Sequence, residues 1–117
     1  PNILHYVVIS YNGKALNQQK AKIALSNFNN KYFRLERLKV SSISLDTSGD
    51  KPILVVRKFK DAQKAEEYTS TLIEKNQEVL GGQAFRPYPM SQINYRELIR
   101  VKSIETYAKF YQENYVQ

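Results

Sequence analysis

The chain has 117 residues, of which 42% are hydrophobic, and it carries a formal net charge of +7. Its nine tyrosines and five phenylalanines exclude a disordered tail, and no apolar run approaches the ~20 residues that span a bilayer. The absence of cysteine excludes disulfides, thiol catalysis and thiolate metal sites, whereas the positive charge permits an acidic partner.

The first two predicted elements are a strand and a helix. Ile3–Tyr11 is apolar on both faces, which is typical of a central strand. It contains the single histidine, His5, which we expect to be structural. Asn17 is a suitable N-cap for a helix that runs to about Tyr32. Its apolar stripe consists of Ala21, Ala24, Leu25, Phe28 and Tyr32. Its outward face consists of Gln18, Lys22, Asn29 and Asn30.

A β-hairpin is the centre of the predicted fold. Two β-branched runs, Val40–Leu45 and Ile53–Phe59, flank the turn residues Asp46–Asp50. Close pairing would place Lys39 opposite Lys58, which is unfavourable unless the charges are solvated or meet an anion. The face toward the helices would hold Leu38, Val40, Ile53, Val55 and Phe59. The other face would hold Ile43, Leu54, Val56, Lys39 and Lys58. A slip of one residue would exchange these faces.

The second half of the chain completes a ferredoxin-like pattern. Asp61 is a suitable N-cap for a helix at about Ala62–Lys75, with an inner stripe of Ala62, Ala65, Thr69, Leu72 and Ile73. The fourth strand falls within Phe85–Ile93, where Pro87 and Pro89 confine it to a sheet edge. This position agrees with an α+β, ferredoxin-like βαββαβ sandwich whose antiparallel sheet has the order 4-1-3-2.

The remaining residues predict a connector and an extra C-terminal helix. Asn94–Lys102 is expected to be an exposed basic connector, and Ser103 to cap a helix at about Ile104–Tyr115. We expect this tyrosine-rich helix to cover part of the second sheet face. The candidate partner-binding residues are therefore two lysines of the hairpin and three residues of the connector, namely Lys39, Lys58, Tyr95, Leu98 and Arg100.

No catalytic or metal-binding pattern occurs in the sequence. HExxH, GxSxG and Walker motifs are absent, and the lone histidine has no signature partner. Asp46 and Asp50 have the spacing of a calcium loop, but Arg57 stands where an EF-hand needs glutamate. We therefore expect neither an enzyme nor a protein with a cofactor or a resident metal.

Nucleic acid is the weaker of the possible ligands. RNA-recognition modules share the βαββαβ order and stack bases on aromatic residues of the two central strands. The third strand here lacks their K/R-G-F/Y-G/A-F-V-x-F/Y pattern, so that only Tyr6 or Tyr11 could stack a base.

Two family resemblances suggest other partners. The segment VVRKFKDAQKAEEYTSTL resembles the second half of SPOR-type domains, which are ferredoxin-like modules that bind stripped peptidoglycan glycans. That resemblance implies peptidoglycan as an alternative partner.

The second resemblance covers most of the chain. HYVVISYN, LSNFNNKYFRLERLKVSSISLD, VVRKFKDAQKAEEYTSTL and INYRELIRVKSIETYAKFYQENY resemble the C-terminal domain of Bacteroidota tetratricopeptide-repeat lipoproteins of gliding motility and type IX secretion (PorW/SprE-type). Arg96 and Glu97 depart from that pattern. The resemblance implies a non-catalytic assembly role at the periplasmic face of the outer membrane. We therefore expect residues 1–117 to be one domain, the C-terminal part of a longer protein, that binds protein partners of an envelope assembly.

Overall fold

The computed structural model describes residues 3–12, 14, 16–44 and 52–101. Within these ranges the chain forms four strands and four helices, with a 3₁₀ turn at Arg34–Glu36. In chain order the elements are β1 (His5–Tyr11), α1 (Gln18–Tyr32), β2 (Lys39–Ser44), β3 (Pro52–Phe59), α2 (Ala62–Glu74), α3 (Asn76–Leu80), β4 (Phe85–Ser91) and α4 (Gln92–Val101).

The four strands form one antiparallel sheet in the order β2-β3-β1-β4. This is the predicted 4-1-3-2 order, so the ferredoxin-like α+β fold is confirmed. Pro87 and Pro89 lie in β4 at one sheet edge, as expected of residues that cannot donate to a strand on both sides. The first and third strands are central, and both are apolar on their two faces.

The predicted N-caps of the two long helices are present. The Asn17 side chain accepts hydrogen bonds from the backbone amides of Gln19 and Lys20. The Asp61 side chain accepts one from the amide of Lys64. The short helix α3 was not predicted. It ends at Gly81, whose φ of 62° lies in the left-handed region where glycine carries no steric penalty.

The hairpin register differs by one residue from the predicted one. Lys39 pairs with Arg57 rather than with Lys58. The predicted faces of β3 are therefore wrong: Leu54 and Val56 face α1 and α2, whereas Ile53 and Val55 face the other side. Four other face assignments are correct. Leu38, Val40 and Phe59 face the helices α1 and α2, and Ile43 faces the other side. A central strand is apolar on both faces, so its alternation could not indicate the register.

A β-bulge in β3 explains why Phe59 keeps its predicted side. His5 pairs with Phe59 but Val7 pairs with Val56, so two β3 residues oppose Tyr6 alone. The extra residue shifts the alternation of side chains beyond Val56. As a result Val56 and Phe59 both face the helices, which the alternation of a regular strand would not allow.

The first sheet face is the one covered by α1 and α2. Its core includes the predicted Ala21, Leu25, Phe28, Ala65 and Leu72. The predicted stripe of α2 was wrong in two places, because Tyr68 is fully buried whereas Ile73 is 57% exposed. Asn29 is also buried rather than outward, since its Oδ1 accepts a hydrogen bond from the Tyr68 hydroxyl. Because the Tyr68 hydroxyl and the Asn29 side chain are hydrogen-bonded to each other, both can be buried.

The second sheet face is the one packed by α4. Its core consists of Tyr6, Val8, Ile53, Val55, Tyr88, Met90 and Leu98. The prediction of an exposed connector at Asn94–Lys102 was wrong, because this segment lies mostly within α4 and Leu98 is buried. Tyr95, Leu98 and Ile99 recur at helical spacing and all contact this core. The extra C-terminal helix therefore begins at Gln92. The helix predicted at Ile104–Tyr115 and the turn Asp46–Asp50 lie outside the described residues.

Candidate functional site: a basic cleft

An open cleft of about 530 Å³ lies at one end of the second sheet face. The ends of β2 and β3, the turn before β2 and the start of α4 border it. We call it the basic cleft, and its lining consists of Tyr6, Glu36, Arg37, Lys39, Arg57, Lys58 and Gln92.

Strand pairing and the bulge bring the basic residues of β2 and β3 together. Lys39 and Arg57 are direct cross-strand partners on the second face. Lys58 follows Arg57 at the bulge opposite Tyr6. Neighbouring residues of a regular strand point to opposite faces, whereas a bulge redirects one of them. Arg57 and Lys58 consequently line the same cleft.

Arg37 reaches the cleft from an unusual backbone conformation. Its φ of 52° and ψ of 47° are left-handed, and it is the one non-glycine residue with positive φ in the part of the chain that the structure describes. This conformation costs a residue with a side chain about 1–2 kcal/mol. It ends the 3₁₀ turn, where the Arg37 amide donates a hydrogen bond to the carbonyl oxygen of Arg34. The turn thereby brings the Arg37 side chain to the cleft.

The cations of the basic cleft have no carboxylate partner among the described residues. Ion pairs in that part of the chain join Lys31 to Glu78, Lys64 to Glu67 and Arg100 to Glu97. Among the residues that the structure describes, four cations and one carboxylate line the cleft, and that carboxylate, Glu36, makes no ion pair with them. Unneutralised charge of one sign in a concave site attracts a ligand of the opposite sign.

Tyr6 lines the cleft, and Tyr95 packs against Tyr6. The Tyr6 hydroxyl accepts a hydrogen bond from Gln92 Nε2 at 3.1 Å, and the Tyr6 ring meets Tyr95 edge to face with centroids 4.9 Å apart. Burial raises the pKa of the Tyr95 hydroxyl, and the charge of Arg57 partly opposes that effect. Tyr6 is only 4% exposed. It supports the cleft and does not offer a free ring face.

An exposed leucine lies on the 3₁₀ turn beside the cleft. Leu35 is 95% exposed, and it directly precedes Glu36 in the cleft lining. A single surface leucine is ordinary in a folded protein. Leu35 precedes Glu36 and Arg37 on the same turn, so an apolar side chain stands next in sequence to two residues of the cleft lining.

The structure brings together two of the predicted partner-binding residues. Lys39 and Lys58 both line the basic cleft. Tyr95 packs on Tyr6 below it and is half-buried. Leu98 is a core residue that is 1% exposed, so it offers no surface to a partner. Arg100 is exposed and forms an ion pair with Glu97.

Sequence reasoning missed Arg37 and Arg57 as cleft residues. Their convergence depends on the hairpin register, the bulge and a left-handed residue, which periodicity does not reveal. A signal was nevertheless present, because the basic segment KYFRLERLK enters a hairpin whose pairing opposes like charges. Such opposition is unfavourable unless the charges are solvated or meet an anion.

The single histidine makes a local contact. His5 Nδ1 lies 2.8 Å from the carbonyl oxygen of Ile3, which suits a proton on that nitrogen and a local structural role. No cluster of metal-ligating side chains occurs in the ranges that the structure describes. Across the same ranges, no helix has the length and apolar character required to cross a membrane.

No protein-family model and no curated protein matches this sequence. Among solved structures, the chain is similar to a de novo designed protein, Foldit4. The two share 9% identity with a TM-score of 0.46, over 79% of this chain and 99% of the designed one. A likeness at this level carries no argument about function.

Proposed function

We propose that this chain is a non-catalytic protein-interaction domain that holds an acidic segment of a partner protein in the basic cleft. The observation that carries this proposal is the cluster of Arg37, Lys39, Arg57 and Lys58, which has no carboxylate partner within the described residues. The fold tolerates a like-charge pair at Lys39 and Arg57 and a left-handed arginine beside it. A bound carboxylate would compensate the repulsion between Lys39 and Arg57.

The chemistry around the cleft favours a protein over a nucleic acid. Base stacking needs exposed aromatic rings on the central strands. The two candidate rings, Tyr6 and Tyr11, are 4% and 8% exposed and lie on opposite faces of the sheet. Leu35 instead offers an aliphatic contact that an amphipathic peptide would cover.

The cellular setting of the proposal comes from the family resemblance. We place the domain in an assembly of the cell envelope, at the periplasmic face of the outer membrane, through a longer parent protein. Type IX secretion or gliding motility is the process in which such a partner would be found. The cleft would serve there as an assembly contact, because its cations attract an acidic partner.

A retention experiment with charge-reversed variants tests the proposal. Lys39→Glu/Arg57→Glu reverses two charges in the cleft. Lys14→Glu/Arg86→Glu reverses two exposed charges at the opposite end of the sheet and changes the net charge equally. The unmodified chain, here called the parent chain, and the control variant are immobilised, and both should retain an acidic protein from a Bacteroidota envelope extract. Salt should release that protein. The cleft variant should not retain it.

Two outcomes would overturn the proposal. One is retention of the same proteins by the cleft variant and the control variant, because the cleft would then contribute nothing. The other is cosedimentation of the parent chain with purified sacculi that depends on Lys39 and Arg57. In that case the partner would be the peptidoglycan polymer rather than a protein.

A further inference from the structure

We propose that the acidic segment binds as a fifth strand along the outer edge of β2, with its acidic end beside Lys39. This inference rests on the proposed function and specifies the geometry of the same contact. It follows from the two edges of the sheet, which the sequence treats differently. One edge strand, β4, carries two prolines, and the other, β2, carries none.

The prolines of β4 determine which backbone groups of the sheet bond to which neighbour. Val7 pairs with Pro89 and Ile9 pairs with Pro87. In an antiparallel pair, residues alternate between pairs that exchange two hydrogen bonds and pairs that exchange none. Proline has no amide hydrogen, so Val7 and Ile9 do not bond to β4. Their amides and carbonyls therefore point toward β3.

The same alternation can be followed across the sheet to β2. Val7 pairs with Val56 in β3, so the backbone groups of Val56 point toward β1 and those of Arg57 and Val55 point toward β2. Arg57 pairs with Lys39 and Val55 with Ser41. The groups of Lys39 and Ser41 accordingly bond to β3.

The intervening residues of β2, Val40 and Ser42, point their amides and carbonyls outward. The described part of the chain supplies no hydrogen-bond partner for these outward groups. On β4 the corresponding outward positions include Pro87 and Pro89, which have no amide to donate. Exposed strand edges pair readily with other chains unless they are blocked. Within the described residues, the sheet is therefore blocked for strand addition at β4 and has no fifth strand paired at β2.

Charge complementarity identifies the added strand. Its residue level with Lys39 would lie about 5 Å away across the strands, and Arg37 precedes β2 at the same end. A glutamate or aspartate fits that position. Further along the same face, Ser41 and Ile43 are half-buried and suit small or β-branched neighbours. The partner is thus an extended segment with an acidic end followed by β-branched residues.

A substitution at Ser42 separates strand addition from charge attraction. Ser42→Pro removes an outward amide and leaves the bonds between β2 and β3 in place, and proline is tolerated at sheet edges. Ser42→Ala keeps the amide and serves as the control. The probe is a fluorescein-labelled peptide with glutamates at one end and alternating valine and threonine. Ser42→Pro should weaken its binding about two- to tenfold, whereas Ser42→Ala should leave it unchanged.

A modified peptide tests the same contact without altering the protein. Two series of the peptide are N-methylated at alternate residues, one at the odd positions and one at the even positions. In one series the lost amides are those that would donate to the carbonyls of Val40 and Ser42. That series should bind the parent chain more weakly than the other. This measurement holds even if Ser42→Pro fails to fold.

The outcomes distinguish this inference from the proposed function. Binding that depends on Lys39 and Arg57, but is indifferent to Ser42→Pro and to both N-methylated series, would overturn strand addition and leave the cleft as the contact. Binding that is indifferent to the cleft charges would overturn the proposed function.

Discussion

The first sheet face and the basic cleft follow opposite rules of construction. On the first face, Tyr68 is surrounded by Phe28, Phe33 and Phe59, with ring centroids 4.9–6.0 Å apart. Its hydroxyl bonds to the buried Asn29. In the cleft, like charges pair across the strands and an arginine takes a left-handed conformation. The core thus joins groups that satisfy one another, whereas the cleft holds a like-charge pair whose repulsion a partner could relieve.

Truncation of core residues should give the largest effects and sharpen this contrast. Phe28 and Leu98 are 4% and 1% exposed, one in each core, whereas Leu35 is 95% exposed. Phe28→Ala should lower the free energy of unfolding by about 3–5 kcal/mol and Leu98→Ala by about 2–5 kcal/mol. Leu35→Ala should change it by less than about 0.5 kcal/mol. Urea denaturation measures all three.

Near-equal values for Leu98→Ala and Leu35→Ala would contradict the position of α4 on the second sheet face. The side chain of Leu98 would then have to lie in solvent, as the connector hypothesis required.

Tyr68→Phe should give an intermediate effect that depends on pH. The change leaves Asn29 without its donor and should cost about 1–3 kcal/mol near neutral pH. Burial raises the pKa of Tyr68 well above its usual value, although the hydrogen bond from its hydroxyl to Asn29 partly opposes this. The folded-state pKa is raised, so this contribution to stability is complete below about pH 10 and declines above it, where an unfolded tyrosine ionises.

The pH dependence supplies the specific readout for Tyr68→Phe. The free energy of unfolding should fall less steeply above pH 10 in this variant, by about 1.4 kcal/mol per pH unit. A slope identical to that of the parent chain would show that Tyr68 is not held neutral in the fold.

Lys39→Glu should give a smaller effect than Tyr68→Phe, with the opposite sign. The variant places a carboxylate opposite Arg57, so that an attractive cross-strand pair replaces a repulsive one. We expect the free energy of unfolding to rise by about 0.2–1 kcal/mol at low salt. Lys14→Glu, which changes the net charge equally at an exposed position, should not reproduce the gain. A loss of stability in Lys39→Glu would mean that Lys39 is already stabilised where it stands.

Features that depend on local chemistry could be predicted from the sequence. Pro87 and Pro89 placed β4 at an edge, and that position indicated the strand order. Asn17 and Asp61 indicated where the two long helices begin, because a short polar side chain can accept from the free amides of a first turn. Most of the buried stripe of α1 followed from its helical spacing.

Features that depend on tertiary context could not be predicted. The alternation of β3 allowed two registers, because both faces of a central strand are apolar. Three residues of α4 at helical spacing contact the core, namely Tyr95, Leu98 and Ile99, and these were too few to distinguish a helix from a connector. Tyr68 and Asn29 are buried through a bond to each other, which neither residue indicates alone. Lys39 and Lys58 were identified as site candidates, but Arg57 joins them only through the register and the bulge, and Arg37 through its left-handed backbone.

The most direct test of the binding role of the basic cleft is the affinity of the glutamate-ended peptide. It is measured at low and high salt for three proteins, namely the parent chain, Lys39→Glu and Lys14→Glu. We predict that Lys39→Glu weakens binding about tenfold or more at low salt and that Lys14→Glu changes it less than about twofold. The difference should shrink at high salt, since the contact is electrostatic. Equal weakening by the two variants would contradict the account, because the peptide would then respond to net charge alone.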